Sequence, residues 1–380
     1  AVIAAWQALL EAPAMECLNR VKFGSKGENS DTLGLDAKPE IIISNRIKKF
    51  DSHALYVTEE IGEATKNRWP IDPDPIRQPL MFFSDPTDRS KFLKKFFEKI
   101  STNRQTEKIG KLMSENDCVD DWEKMFDPPE PPAIITGATS SITCVRKGEI
   151  IFSVILNYIT RTIFVATPID ILYLNLSSIP RTNLEEINLS HITKQGKRLI
   201  FPSSKVTCKT PDDYNKFVTF LGKSGYAENF NDSMIFVDKP ENFIHHKEPG
   251  GPARVLYLSE LQNDYGPIGF ILANGEKIIE WIHWLAFAKF AKNEEGGPAL
   301  KVFEISIDRP WTKEGILMST SPAYSIFFEC NNRKFLDISR LKNFENPSKF
   351  RSMLVVTPCD NEQIICVMHE HNYREVSHIF

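Results

Sequence analysis

Ten residues, Met81-Phe82-Phe83-Ser84-Asp85-Pro86-Thr87-Asp88-Arg89-Ser90, constrain this chain more than any others. An apolar run ends in two carboxylates, and a hydroxyl follows at the mouth of a segment with helical period, Lys91-Phe92-Leu93-Lys94-Lys95-Phe96-Phe97-Glu98-Lys99-Ile100. Pro86 biases Asp85 toward extended backbone and supplies no N–H. The spacing therefore predicts a buried strand over 80–84 and a turn at Pro86-Thr87 that aims both carboxylates at one point. A helix follows beyond Ser90. N–H groups at a helix start suit an anion, and carboxylates suit a cation. Together they point to metal-assisted phosphate chemistry. The same ten residues admit a plainer reading, in which Asp85 or Ser90 only caps a helix.

At 380 residues the chain is long enough for two domains or one large α/β unit. An apolar fraction of 42% supplies a sizeable core, and a net charge of −4 without any Lys/Arg block argues against a nucleic-acid polymer as partner. The seven cysteines (17, 118, 144, 208, 330, 359 and 366) are odd in number, scattered and form no C-x-x-C pair. That pattern supports neither a zinc knuckle nor a disulfide framework, and reduced thiols in a cytoplasmic protein are the simplest account. No apolar run approaches the roughly 18–20 residues of a membrane span. The opening Ala1-Val2-Ile3-Ala4-Ala5-Trp6-Gln7-Ala8-Leu9-Leu10 lacks a basic leader and reads as an amphipathic helix rather than a signal peptide.

Along the chain, residues 1–23 read as helix and 24–34 as a polar loop. A second helix is expected over about 39–49, with Pro39 in its first turn. A short strand over 54–58 closes on Glu59-Glu60, and the Pro-rich stretch 61–79 separates it from the strand at 80–84. Strands over 141–146, 150–157 and 162–166 form an antiparallel meander, with turns at Gly148-Glu149 and 158–161. Past 195 the texture alternates: helix at 211–223, strand at 233–237, helix near 252–263, strand at 268–273, helix near 278–292. The tail offers a hairpin of 352–356 and 363–368. The expected domains are 1–195, an α+β unit carrying the carboxylate motif and the meander, and 196–330, an α/β unit. Residues 331–380 form a C-terminal extension.

Other acidic and histidine groups weigh less by themselves. Glu59 reads as a third carboxylate on the same cation or as a solvated strand end. Glu280, opening an apolar helix, reads as a ligand or as a charge favouring the helix's positive end. His245-His246 and His369-Glu370-His371 lack the i, i+4 spacing of a helical zinc site. No P-loop, dinucleotide fingerprint or G-x-S-x-G is present.

In order, Glu59-Glu60, Asp85-Pro86-Thr87-Asp88-Arg89-Ser90 and Glu280 resemble the marks of the magnesium-dependent, lithium-sensitive phosphatase superfamily. That superfamily includes inositol monophosphatases and fructose-1,6-bisphosphatases. Its pattern is a Glu-Glu strand end, then Asp-Pro-(Ile/Leu)-Asp-Gly-(Thr/Ser), then an acidic residue opening a late helix. Leu35-Asp36-Ala37-Lys38-Pro39-Glu40, Ser52-His53-Ala54-Leu55, the meander over 150–166, Gly250-Gly251-Pro252-Ala253 and Glu295-Gly296-Gly297 resemble its flanks. The match runs over about residues 20–320. Arg89 departs from it where most members carry Gly, and Glu280 where most carry Asp.

The resemblance implies a layered αβαβα sandwich of the α+β / α/β class and a phosphomonoesterase that uses two or three Mg²⁺ ions. It implies metal ligands at Glu59, Asp85, Asp88, Glu280 and the carbonyl of Thr87. Asp36 and Ser90 would orient or activate the attacking water, with Glu59 beside them in the catalytic set. Backbone N–H groups of Arg89 and Ser90 would hold the phosphate, and Lys26 is the counterpart of an opening lysine. The expected partner is a small phosphorylated polyol, sugar or nucleotide, with no membrane, and a homodimer is a fair expectation. The alternative is a catalytically impaired member that serves as a binding or interaction protein.

Overall fold

The computed structural model describes residues 1–23, 32–58, 68–69, 80–125, 133–147, 149–178, 187–202, 218–221, 259, 268–276, 278–306, 327–330, 333–336, 352–362, 365–366, 369 and 374–375. Glu59-Glu60, Lys26, His245-His246, the strand at 233–237 and Gly250-Gly251 lie outside them. The chain divides into two compact units, the first built from residues 1–147, 151–165 and 172–197, the second from 148–150, 166–171 and 198–380.

The first unit carries an eight-stranded sheet in the order β2-β1-β3-β4-β5-β6-β7-β8. Its strands are β1 (Leu55–Thr58), β2 (Arg68–Trp69), β3 (Leu80–Asp88), β4 (Thr139–Arg146), β5 (Glu149–Asn157), β6 (Thr162–Ala166), β7 (Ile171–Asn175) and β8 (Lys197–Arg198). β1 and β3 run parallel, with Tyr56 opposite Phe82 and Thr58 opposite Ser84. β4, β5 and β6 are neighbours joined by short turns, which only antiparallel pairing permits. Lys147 and Arg161 take the left-handed backbone of those turns. The meander read from alternation is therefore present.

Helices α1 (Val2–Glu11), α2 (Ala14–Leu18) and α3 (Gly34–Phe50) precede the sheet strands. The single helix expected over 1–23 is broken at Ala12-Pro13, because the residue before a proline is driven out of helical backbone. α3 begins at Gly34 rather than near Pro39, so Pro39 stands inside the helix. Beyond the sheet motif come α4 (Ser90–Ile100), α5 (Ile109–Ser114), α6 (Cys118–Glu123) and α7 (Ala133–Thr136), with α8 (Leu189–Gln195) later. α4 buries Leu93, Phe96, Phe97 and Ile100, the i, i+3, i+4, i+7 stripe its sequence predicts, and Phe96 meets the Trp122 ring edge-on.

The second unit holds a mixed five-stranded sheet in the order β15-β11-β14-β10-β9. These are β9 (Val218–Leu221), β10 (Ile268–Glu276), β11 (Leu300–Ser306), β14 (Ser352–Pro358) and β15 (Arg374–Glu375); β12 (Phe327–Cys330) and β13 (Arg333–Leu336) pair separately. The helix expected over 211–223 is corrected by β9, where Val218-Thr219-Phe220-Leu221 pairs with β10 in parallel. β-branched and aromatic residues fit that pleated surface. The tail strand β14 lies between β10 and β11, and within its expected hairpin partner at 363–368 the described residues, Ile365 and Cys366, are helical. The α+β layered class is thus met in both units, each with helix and sheet.

α9 (Ile278–Phe290) belongs to the second unit and buries Ile279, Ile282, Trp284, Leu285 and Phe287. His283 is fully buried in that apolar helix, and burial pulls its imidazole down to about 3. A histidine whose folded value lies below its unfolded one (about 6.5) favours the unfolded state as pH falls through that window. Stability is therefore expected to fall by several kcal/mol between about pH 6.5 and pH 3 from this group alone. In His283→Met the fall should be shallower. Urea midpoints measured against pH in both proteins check this, and parallel curves would refute it.

Candidate functional site

β3 does not turn at Pro86-Thr87 as the sequence predicts. It stays extended to Asp88, with Asp85 opposite Ser141 and Asp88 opposite Thr139, so one extra residue is bulged out of the β3–β4 ladder. A bulge bends a strand and re-aims its side chains. The change of direction comes one residue later: Arg89 takes φ 64° and ψ 34°, and α4 starts at Ser90. The carboxylate segment thus sits between a bulge and a left-handed cap.

Three contacts hold it, one local and two from distant parts of the chain. The Asp85 carboxylate (3% exposed) accepts a hydrogen bond from the Thr87 N–H at 3.2 Å. The Thr87 hydroxyl donates to the Leu35 carbonyl at 3.0 Å. The Tyr158 hydroxyl donates to the Pro86 carbonyl at 2.9 Å. The second contact has a reason in α3. Pro39 has no N–H, so the Leu35 carbonyl four residues before it lacks its helical donor. Thr87 fills the place.

Asp36 stands on the same turn of α3, buried, with its carboxylate accepting from the Leu33 N–H at 3.3 Å. Burial raises the Tyr158 phenol's pKa, and the charges of Asp85 and Asp36 raise it further. Both carboxylates therefore act on one phenol. The site brings Asp36, Asp85, Thr87, Asp88, Arg89 and Ser90 into one region of the first unit.

Glu59 lies outside the described residues, although Thr58 before it is level with Ser84 before Asp85. Glu280 stands in the first turn of α9, in the second unit.

Arg89 is 7% exposed. One guanidinium nitrogen donates to the Thr136 carbonyl at 2.6 Å, and the group lies over the Phe92 ring at 4.2 Å with Trp122 beyond it at 5.8 Å. The side chain thus ties α4 to α7, and α6 lies alongside. A role for this residue toward an anion falls to its backbone.

Sequence reasoning gave Glu40 and Tyr158 no role of their own and read Pro39 only as a helix start. Glu40 is fully buried and accepts a hydrogen bond from the Thr58 hydroxyl. Burial, and then the Glu40 charge, raises the Tyr56 phenol beside it. The i, i+4 spacing of Asp36 and Glu40 was the available signal. For Tyr158 none existed, since its partner lies on another strand.

Among the described residues, no three His, Cys, Asp or Glu side chains gather closely enough to hold a metal ion. The donors present are oxygens only, which suit a hard cation. Mg²⁺ is commonly held by one or two carboxylates together with substrate phosphate and water. Asp85 and Asp88 fit that habit.

No protein-family model and no curated protein matches the chain. Solved structures do. The extragenic suppressor protein SuhB of Bartonella henselae is similar at 13% identity over 96% of this chain and 94% of its own, with a TM-score of 0.46. The inositol monophosphatase of Anabaena is similar at 9% identity over 97% and 91%, with a TM-score of 0.45. An inositol monophosphatase/NADP phosphatase solved with Mg²⁺ and phosphate is similar at 8% identity over 90% and 84%, with a TM-score of 0.42. Likeness at this level speaks to neither activity nor substrate.

Proposed function

We propose that this chain is a Mg²⁺-dependent phosphomonoesterase acting on a small phosphorylated polyol, sugar or nucleotide. One observation supports it above the others: the Thr87 hydroxyl on the Leu35 carbonyl brings the buried Asp85 segment against the buried Asp36, beside the start of α4. Asp85, Asp88 and the Thr87 carbonyl are the proposed metal donors, and the resemblance adds Glu59. Mg²⁺ supplies charge neutralisation and a lowered pKa for bound water. Asp36 and Ser90 orient the attacking water. The N–H groups of Arg89 and Ser90 face the phosphate at the positive end of α4.

The experiment is phosphate release, with and without Mg²⁺, across inositol phosphates, fructose-1,6-bisphosphate, phosphoadenosine phosphate and nucleotides. Turnover that needs Mg²⁺ and is inhibited by lithium supports the reading. Silence from a folded, Mg²⁺-loaded sample would favour a binding or interaction protein on this scaffold. The engaged side chain of Arg89, at a position where most members of the resembling family carry Gly, is the observation behind that second reading.

Pro39→Ala separates stability from function. It restores an N–H to α3, where alanine is about 3 kcal/mol better than proline in a helix interior. That N–H then competes with Thr87 for the Leu35 carbonyl. We expect a higher melting temperature and phosphate release lower by about tenfold, the scale of one lost positioning contact. Melting curves and initial rates check it, and a more stable variant with full activity would show that the Thr87–Leu35 contact is dispensable.

A further inference from the structure

Tyr158 follows β5 directly and is 2% exposed. Its backbone is fixed on both sides. The Tyr158 N–H donates to the Ala138 carbonyl at 2.8 Å. The preceding Asn157 donates to the Ala133 and Ile134 carbonyls at 2.8 and 3.2 Å, and accepts from the Ile159 and Thr160 N–H groups at 2.9 and 3.1 Å. Gly137 leaves the room for this, since a Cβ there would lie 2.5 Å from the Asn157 side-chain oxygen. The ring of Tyr158 therefore leaves a rigid corner.

Its hydroxyl reaches the Pro86 carbonyl at 2.9 Å. Pro86 lies within the bulge of β3, where the ladder is interrupted. A bulge leaves backbone groups without ladder partners, and a buried carbonyl needs a donor. The next residue, Thr87, donates its hydroxyl to the Leu35 carbonyl at 3.0 Å, so the segment is held from a second side. A phenol hydroxyl is a hydrogen-bond donor as well as an acceptor, which suits it to a carbonyl.

We propose that Tyr158 is a positioning residue for the carboxylate segment: its hydroxyl holds the Pro86 carbonyl and so fixes the orientation of Asp85, Thr87 and Asp88. Its effect on turnover rests on the phosphatase reading given above. Its effect on the segment itself does not.

Tyr158→Phe keeps the ring and removes the donor. The measurements are backbone hydrogen exchange at 85–89 and along β4 and β5, taken below the variant's melting transition, and Mg²⁺-dependent phosphate release. We expect exchange at the Thr87 amide to quicken by about tenfold while β4 and β5 stay as in the wild type. The catalytic rate constant should fall by about tenfold with KM within about twofold, because positioning acts on the transition state more than on ground-state binding. A purely structural tyrosine would instead quicken exchange throughout β4 and β5 and leave the rate per folded molecule unchanged.

Wild-type exchange at Thr87 in the variant overturns the proposal whatever the enzyme does. An active wild type with an equally active variant also overturns it. If the wild type releases no phosphate, the phosphatase reading fails. The exchange result then still decides whether Tyr158 holds the segment.

Discussion

Asp85→Asn is expected to lower Mg²⁺-dependent phosphate release by about 10²–10³-fold, the scale of one lost electrostatic contact at a transition state. The fold should survive. Asparagine keeps the volume and an oxygen that still accepts from the Thr87 N–H, now at 3.2 Å from the carboxylate. What disappears is the negative charge that would hold a hard cation. Asp88→Asn should move activity in the same direction, with a smaller stability change at this half-buried position. Initial rates at saturating Mg²⁺, read beside thermal melting, check both. Full activity in both variants would dismiss the site assignment.

The second large effect falls on stability, at Arg89. A non-glycine residue in left-handed backbone carries a cost of roughly 1–2 kcal/mol. Here φ is 64°. The side chain offsets that cost through the Thr136 carbonyl at 2.6 Å and the Phe92 ring at 4.2 Å. A charged hydrogen bond contributes about 1.5–3 kcal/mol and a desolvated cation–π contact about 2 kcal/mol. Arg89→Ala keeps the strain and loses both contacts, so a loss of about 3 kcal/mol is expected. Arg89→Gly loses the contacts but relieves the strain, and should be about 1 kcal/mol more stable than the alanine variant. Denaturant midpoints rank the three proteins. Equal stability of Ala and Gly variants would mean the left-handed backbone costs nothing here. No gain in turnover is expected from glycine, because Arg89 already makes the required backbone turn. A gain from near zero would favour the impaired-scaffold reading.

Much of the frame could be read from local pattern. The buried stripe of α4 follows from helical period, and the strands of the meander follow from β-branched and aromatic runs between turn residues. Other elements could not be read this way. Val218-Thr219-Phe220-Leu221 lies in a window that reads as helix, yet it becomes a strand because β10 offers a parallel ladder. Pro39 looks like a helix start. It is tolerated inside α3 because the carbonyl it leaves free is taken up by Thr87, from a segment distant in sequence. The Pro86-Thr87 turn is replaced by a bulge because β4 continues to pair with β3 as far as Thr139.

Residue chemistry, spacing and periodicity are local properties, and they suffice to specify a carboxylate-rich strand end opening onto an amphipathic helix, together with an antiparallel meander. The tertiary structure alone decided how that strand end is held. The Tyr158 hydroxyl on Pro86, the Leu35 carbonyl on Thr87 and the Thr136 carbonyl on Arg89 join positions far apart in the chain. Such contacts leave no periodic trace in sequence, because their free energy arises only when buried polar groups from separate elements must satisfy one another.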